Sequence, residues 1–337
     1  MFARVIPALL LVITAAILLV CAWPQLFFAE QLAGVAQIVS LRALGVVVAV
    51  AGIVVVALVA LLSTRLRRFA ASVALLLVLF SAVNVVVLAS RGFGNIAFET
   101  ANDSDVTVLT WNTLGDAPGA DAIADLALAQ GADIITLPET TERMGAQIAG
   151  RMDEAGKPMT VITRAFDQIS KARSTTLLIS VALGDYAEVT DVGSTRQLPS
   201  VVAEPVDGTG PIIVAVHPVA PIPAELDVWR ADLEWLSTVC DGPNVIMAGD
   251  FNSTIDHYTH ISRSPGATIG TCTDAGSLSK NAAVGTWPTS LPPLLGTPID
   301  HVMLTDNWRV SGMRVIESED GSGSDHRPVV VQLSPAE

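Results

Sequence analysis

Residues 248–254 read "AGDFNST" and follow the apolar run "NVIM", so an acid, Asp250, and an amide, Asn252, stand two apart where a buried strand should run out. Desolvating a carboxylate is costly unless a partner or ligand meets it. The same placing recurs along the chain. Asn112 ends "VTVLTWN", Glu139 ends "DIITLPE" and His217 ends "PIIVAVH". Asp300 and His301 begin "IDHVMLT", and Asp325 and His326 stand just before "RPVVVQL". Singly, each has a plain structural explanation, since a strand-end Asp or Asn commonly makes a turn or caps a helix. As a set they suit the hydrolysis of a phosphate ester. That reaction needs a positioned water, charge neutralisation on the phosphoryl oxygens and help for the leaving oxygen. Mg²⁺ keeps several waters and takes one or two protein carboxylates plus substrate phosphate.

These side chains do chemistry together only if the elements that carry them share an edge. "VTVLTW", "DIITL", "TTLLISVAL", "SVVAEPV", "PIIVAVH", "NVIMAGD", "IDHVMLT" and "RPVVVQL" are of strand length, rich in Val, Ile and Thr, and bounded by Gly, Pro or Asp. Helical patterns lie between some of them. "GADAIADLALAQGA" places Ile123, Leu126 and Ala127 on one face, and "AELDVWRADLEWLSTV" does so with Leu226, Trp229, Leu233 and Leu236. Many strands with helices in only some connections point to mixed sheets covered by helices. No repeat or low-complexity tract interrupts them.

The blocks "TWNTL", "LPET", "AVHP", "GDFNST", "PIDHV" and "SDHRPV" occur in the order seen in the endonuclease/exonuclease/phosphatase superfamily, which the chain resembles over about residues 106–333. "GTWPTSLPP" before "IDHV" is also similar to members of that group. The resemblance implies an α/β fold, a four-layer sandwich of two packed mixed β-sheets flanked by helices, with one active site at the sheet edge. It implies a Mg²⁺ or Mn²⁺ cofactor, with Glu139 as leading ligand, Asn112 beside it, and Asp325 contributing directly or through water. His326 would be the base or a phosphate-contacting imidazole, oriented by Asp300. His217 would contact the phosphate or assist the leaving group. Asp250 would orient or deprotonate the attacking water, and Asn252 would hold a phosphoryl oxygen. The sequence departs from the nuclease-like pattern in one place. Where a Glu or Tyr often supports the phosphate site it reads "RSTTLLIS", with Ser174, Thr175 and Thr176, so the partner of His217 is open.

Other candidates carry less. His257 and His260 in "IDHYTH" are spaced for one helical face, but two His alone do not make a zinc site, and a solvated or substrate-facing stretch is expected. His301 is expected to fix a loop. Trp287 and "SLPPLL" are expected either to line the pocket mouth, in reach of a lipid, or to cover the core as a Pro-stiffened loop.

The first ninety residues differ from the rest. They hold five Arg, no Lys and one acid, Glu30. Apolar stretches within 5–28, 43–63 and 69–90 are long enough to span a bilayer, which takes about 20 residues. The first is longer than the hydrophobic region of a signal peptide. Arg65, Arg67 and Arg68 lie between the second and third stretches, whereas "PQLFFAEQLAG" after the first has no basic residue. The Lys/Arg bias of short loops therefore places the Arg-rich loop in the cytoplasm and the C-terminal part outside. A polar linker over 91–105 and a catalytic domain over 106–337 follow.

From Arg91 onward 14 basic residues face 32 acidic ones, close to −18. With no basic cluster there, a nucleic-acid partner is disfavoured. Cys240 and Cys272 are either a disulfide, in keeping with an exported domain, or two separate buried thiols. The expected function is a membrane-tethered phosphoesterase acting on a phospholipid head group, a lipid-linked phosphate or a small phosphorylated metabolite. An extracellular DNA or RNA nuclease and a non-catalytic binding module are the alternatives. The sequence leaves monoester or diester, and one metal or two, open.

Overall fold

A computed structural model describes residues 2–94, 97–167 and 169–336. The chain divides into two compact units, Met1–Ser90 and Arg91–Glu337.

The N-terminal unit is helical, with α1 (Phe2–Ala22), α2 (Val35–Ser40), α3 (Arg42–Leu62) and α4 (Arg67–Arg91). Three of these, α1, α3 and α4, are long and apolar enough to cross a membrane. Many of their apolar side chains, Val12, Val54 and Val86 among them, are exposed, which suits contact with lipid. The first helix stops at Ala22 and does not run to residue 28. Trp23 precedes Pro24 and takes a non-helical conformation, and a short 3₁₀ turn, Pro24–Phe27, follows. The buried Arg42 donates from Nη1 to Ala22 O at 3.0 Å and to Asn84 Oδ1 at 2.7 Å, so the cation finds acceptors on α1 and α4.

The C-terminal unit runs β1 (Val106–Thr110), α5 (Gly119–Gln130), β2 (Ile134–Pro138), α6 (Glu142–Glu154), β3 (Met159–Ala165) and β4 (Ser174–Ser180). It continues through β5 (Tyr186–Glu188), β6 (Val201–Pro205), β7 (Ile212–Val216), α7 (Leu226–Val239) and β8 (Val245–Asp250). It ends with β9 (Thr273–Asp274), α8 (Ala275–Leu278), β10 (Asp300–Leu304), β11 (Trp308–Val315) and β12 (Val329–Pro335). Two six-stranded mixed sheets result, in the orders β11-β12-β1-β2-β4-β3 and β5-β6-β7-β8-β10-β9. Alternation along the strands builds the layers. Val108, Ile134 and Ile179 of the first sheet pack with Ile213, Ala215, Ile246 and Val302 of the second. Leu109, Ile135 and Leu178 point the other way and meet Ile123 of α5 and Ile148 of α6.

Residues 92–94 and 97–105 are laid along this unit. Gly94 N donates to Lys280 O, Ala283 N to Gly92 O and Glu99 N to Ser311 O. A Cβ on Gly312 would stand 2.3 Å from the Phe98 ring, so glycine there lets the segment lie close. Asn95 and Ile96 of the expected linker lie outside the described residues. Cys240 and Cys272 form a disulfide, with Cα atoms 5.9 Å apart.

Each sheet contains one parallel pair joined through a helix, β1–α5–β2 and β7–α7–β8. Parallel strands end at a common edge, where ligands bind in sheets of this kind. Asn112, Glu139, His217 and Asp250 are the residues at or just past those four carboxyl ends. Two antiparallel neighbours complete the arrangement. β10 starts opposite the end of β8, with Asp300 paired in register to Asp250. β12 starts at Val329 opposite Thr110, which leaves Asp325 and His326 beside the end of β1.

Candidate active site

The amide of Asn112 joins the two sheets. Its Nδ2 donates to Glu139 Oε1 at 3.2 Å and to Asp250 Oδ2 at 3.0 Å. Its Oδ1 is turned back to accept from Leu114 N at 3.0 Å. The amide nitrogen thus faces the carboxylates, whereas the sequence reading expected a ligand from this residue. Glu139 has φ of 60° and Asn252 has φ of 46°, both in the left-handed region. Such backbone is sparsely populated for non-glycine residues and gathers where a site over-determines it.

Asp250 is buried and accepts from Asn252 N at 2.8 Å and Asn252 Nδ2 at 3.2 Å. Asn252 also donates from Nδ2 to Pro218 O at 2.9 Å, which ties the β8 end to the segment after His217. His326 lies across from them. Its Nδ1 is 2.9 Å from Asp300 Oδ2, and its Nε2 is 3.8 Å from Asp250 Oδ2 and 4.0 Å from Asp325 Oδ1. His217 Nε2 is 4.0 Å from Glu139 Oε1. The structure therefore brings Asn112, Glu139, His217, Asp250, Asn252, Asp300, Asp325 and His326 to one place.

Electrostatics separate the two imidazoles. Burial pushes His217 down to about 3, helped by the neighbouring His326, so it is neutral at ordinary pH. Its Nδ1 faces the hydroxyl of Thr175 at 3.5 Å and no carboxylate, which fills the position the sequence left open. Burial acts against the His326 cation too, but Asp300 and Asp250 outweigh it and raise this imidazole. Burial, with the charge of Asp300 adding to it, raises Asp250 against the opposing pull of His326. Burial likewise raises Glu139.

Among the described residues, Asp250, Asp300 and His326 form a group whose ligand atoms lie within 4.8 Å of one another. Asp300 Oδ2 and His326 Nδ1 are already engaged with each other, so this trio alone is an incomplete cage. The wider donor set fits a hard divalent cation better. Glu139 and Asp250 lean on one shared amide, and the buried oxygens Asp300 Oδ1 and Asp325 Oδ1 have no hydrogen-bond partner. Clustered carboxylate oxygens with unsatisfied lone pairs suit Mg²⁺ or Mn²⁺.

Several supporting side chains escaped the sequence reading. Ser324 donates to Asn112 O at 2.6 Å and accepts from His326 N at 3.0 Å. Ser200 accepts from His217 N at 2.9 Å. Trp111 Nε1 donates to His326 O at 2.9 Å. Only the position of Ser324 and Trp111 inside the "SDH" and "TWN" blocks hinted at them. His301, expected to fix a loop, bridges Asp274 Oδ1 and Ser253 O at 3.0 Å each. The helical reading of "IDHYTH" does not hold. Ile255–His257 is one 3₁₀ turn, His257 is fully buried with its ring on Trp229, and of the pair only His260 is exposed.

A family model described as "Endonuclease/Exonuclease/phosphatase family" matches residues 109–326. Two solved structures are similar. A humanized D. rerio TDP2 carrying 14 mutations is 14% identical with a TM-score of 0.51, covering 69% of this chain and 100% of that one. An endonuclease/exonuclease/phosphatase family protein from Leptotrichia buccalis C-1013-b is 13% identical with a TM-score of 0.51, covering 68% and 99%. At such identities the likeness speaks for the fold. No curated protein matches the chain.

Proposed function

The chain belongs to the endonuclease/exonuclease/phosphatase family, and from that premise we propose that it is a Mg²⁺- or Mn²⁺-dependent phosphoesterase, tethered to the membrane by α1, α3 and α4 with its catalytic domain, residues 106–337, outside the cytoplasm. The observation that carries the reading is the Asn112 amide shared between Glu139 of one sheet and Asp250 of the other. It sets two acids from opposite sheets against the imidazoles of His217 and His326.

Glu139 and Asp325 would hold the cation, which when bound neutralises charge on the phosphoryl oxygens. Asp250, raised by burial and Asp300, is suited to take a proton from the attacking water near neutral pH. His326, kept protonated by Asp300, donates from Nε2 to a phosphoryl oxygen. His217 is neutral and serves as a second hydrogen-bond donor at the leaving-group side. Asn252 holds Asp250 in place; its two amide hydrogens go to Asp250 Oδ2 and Pro218 O, so it serves as a positioning residue and not, as the sequence suggested, as the holder of a phosphoryl oxygen.

The substrate class that fits is a phospholipid head group, a lipid-linked phosphate or a small phosphorylated metabolite. The strongly acidic unit disfavours a polyanion, and many of its cations, such as Arg151, Lys157 and Arg309, already sit in ion pairs. The test is hydrolysis by the purified full chain in detergent with Mg²⁺ or Mn²⁺. The panel holds a phosphomonoester, a phosphodiester, phospholipids, DNA and RNA. Asp250→Asn is expected to lower kcat about 10²–10⁴-fold. Unchanged turnover in that variant would remove the mechanism, and salt-sensitive cleavage of DNA alone would replace the substrate class.

A further inference from the structure

The segment "GTWPTSL", residues 285–291, crosses from β10 toward the stretch before β12 and touches both acids that flank His326. We propose that Trp287 is a positioning residue: its indole N–H fixes one oxygen of Asp325 so that the other is presented to the divalent cation. This rests on the phosphoesterase reading of the site. The two oxygens of Asp325 are in unlike situations. Oδ2 accepts from Trp287 Nε1 at 2.8 Å. Oδ1 is buried without a hydrogen-bond partner and stands 4.0 Å from His326 Nε2. A carboxylate oxygen left bare of water and of donors is costly unless a cation meets it. A carboxylate with both oxygens free would rotate, and the single indole bond removes that freedom.

The tryptophan can do this because its own segment is held. Trp287 N donates to Thr297 O at 3.1 Å, and Thr297 N donates back to Trp287 O at 2.7 Å. Thr289 N donates to Asp325 O at 2.9 Å, so backbone and side chain of the acid are gripped by one turn. Beneath it lies Arg327, almost fully buried. Its guanidinium donates to the carbonyls of Gly285, Pro288, Thr289 and Leu291 and to Asp320 Oδ2 at 2.6 Å. Guanidinium donors lie in a fixed planar fork, so one side chain sets the path of the whole turn. The same strap reaches the second acid, because Thr286 Oγ1 accepts from Asp300 N at 3.2 Å. A tryptophan that merely filled space would need neither the aligned N–H nor this clamp.

The experiment measures Mn²⁺ binding to the full chain in detergent by electron paramagnetic resonance, with no substrate present. Wild type, Trp287→Phe, Asp325→Ala and the double variant are compared. Phenylalanine keeps most of the ring and removes the donor. Trp287→Phe is expected to bind Mn²⁺ about tenfold more weakly, as when the outer partner of a metal ligand is lost. The double variant is expected to bind no more weakly than Asp325→Ala alone. Equal affinity for wild type and Trp287→Phe, or additive losses in the double variant, overturns the assignment. A folded wild type that binds no Mn²⁺ overturns the phosphoesterase reading and the assignment with it. Should Trp287→Phe fail to fold, 5-fluorotryptophan resonances of wild type and Asp325→Ala decide. The chain has six Trp, and Mg²⁺ is expected to move one resonance in wild type and none in the variant. Six unmoved resonances in the wild type overturn the proposal.

Discussion

Asp250 and Asp300 are register partners on adjacent antiparallel strands, so two carboxylates are forced together at one buried point. His326 relieves that repulsion for one of them, its Nδ1–H donating a hydrogen bond to Asp300 Oδ2 at 2.9 Å. The arrangement raises both the imidazole and Asp250, and so sets up an acid and a base side by side. The sign of its pH dependence can be tested at Asp300. That charge is what holds His326 protonated as pH rises, so removing it lowers the imidazole. If the protonated form binds the phosphoryl oxygen, activity of Asp300→Asn is lost at lower pH than in wild type. The alkaline limb of the pH–kcat/KM profile is therefore expected to move toward acid, and coincident limbs would mean that Asp300 does not govern His326. His217 contributes no limb of its own in the range of such a profile. With Thr175 as neighbour and burial around it, it stays neutral well below pH 5.

The strands that carry these groups are placed by close backbone contact. Gly249, the residue before Asp250, has Val216 O where its Cβ would be, at 2.1 Å. The parallel pair β7–β8 can therefore approach, and so bring His217 toward Asp250, only with glycine there. Gly249→Ala is expected to cost at least about 1–3 kcal/mol, the range for overpacking a tight interior. It should also lower activity, by denaturant unfolding and assay of the same preparation, because the carriers of both groups are pushed apart. The eight apolar runs read from the sequence are β1, β2, β4, β6, β7, β8, β10 and β12, which are the interior strands of the two sheets. The strands that went unread are β3, β5, β9 and β11, the four edges. The reason is physical. An interior strand is buried on both faces and reads as a continuous apolar run. The edge strand β11, "WRVSGMRV", carries two Arg, a Ser-Gly pair and a register shift between Val310 and Gly312. The chemical groups were legible because they interrupt apolar runs, whereas the hydroxyls of Ser200, Thr175 and Thr286 look like any loop or strand Ser and Thr. At the sheet end, β9 is tied to β10 by the buried pair Asp274 and His301. Burial opposes charge on both, but their mutual bond and attraction lower Asp274 and raise His301. A lowered acid stabilises above its unfolded pKa, about 3.9, and a raised imidazole does so below its own, about 6.5. The stability difference between wild type and His301→Gln is thus expected to be largest between about pH 4 and 6.5, shrinking on either side, by urea unfolding across pH.

At the scale of the molecule, α1, α3 and α4 are long and apolar enough to cross a membrane, whereas the C-terminal unit is strongly acidic and suits water. The disulfide between Cys240 and Cys272 bears on which side of a membrane that unit occupies. It closes a separation of 32 residues, which on chain entropy contributes about 3–4 kcal/mol. The double variant Cys240→Ala/Cys272→Ala is expected to lose stability of that order in denaturant unfolding, with no loss if the bond never forms in the native protein. Such bonds persist in oxidising compartments. The Arg distribution argues in the same direction. Arg65 lies in the turn between α3 and α4, and Arg67 and Arg68 open α4. On the other side of α3, Arg42 is buried against Ala22 O and Asn84 and is no free loop charge. With the cluster held in the cytoplasm, α4 carries the chain outward, whether or not α1 is retained. A fusion after the C-terminus to an enzyme active only when exported is expected to be active, and a fusion to a fluorescent protein that matures only in the cytoplasm is expected to stay dark. Replacing Arg65, Arg67 and Arg68 with Gln should make both reporters partly positive, because it removes the bias that fixes the direction. A wild-type chain with the cytoplasmic reporter alone bright would reverse the topology and leave the disulfide without an oxidising compartment to maintain it.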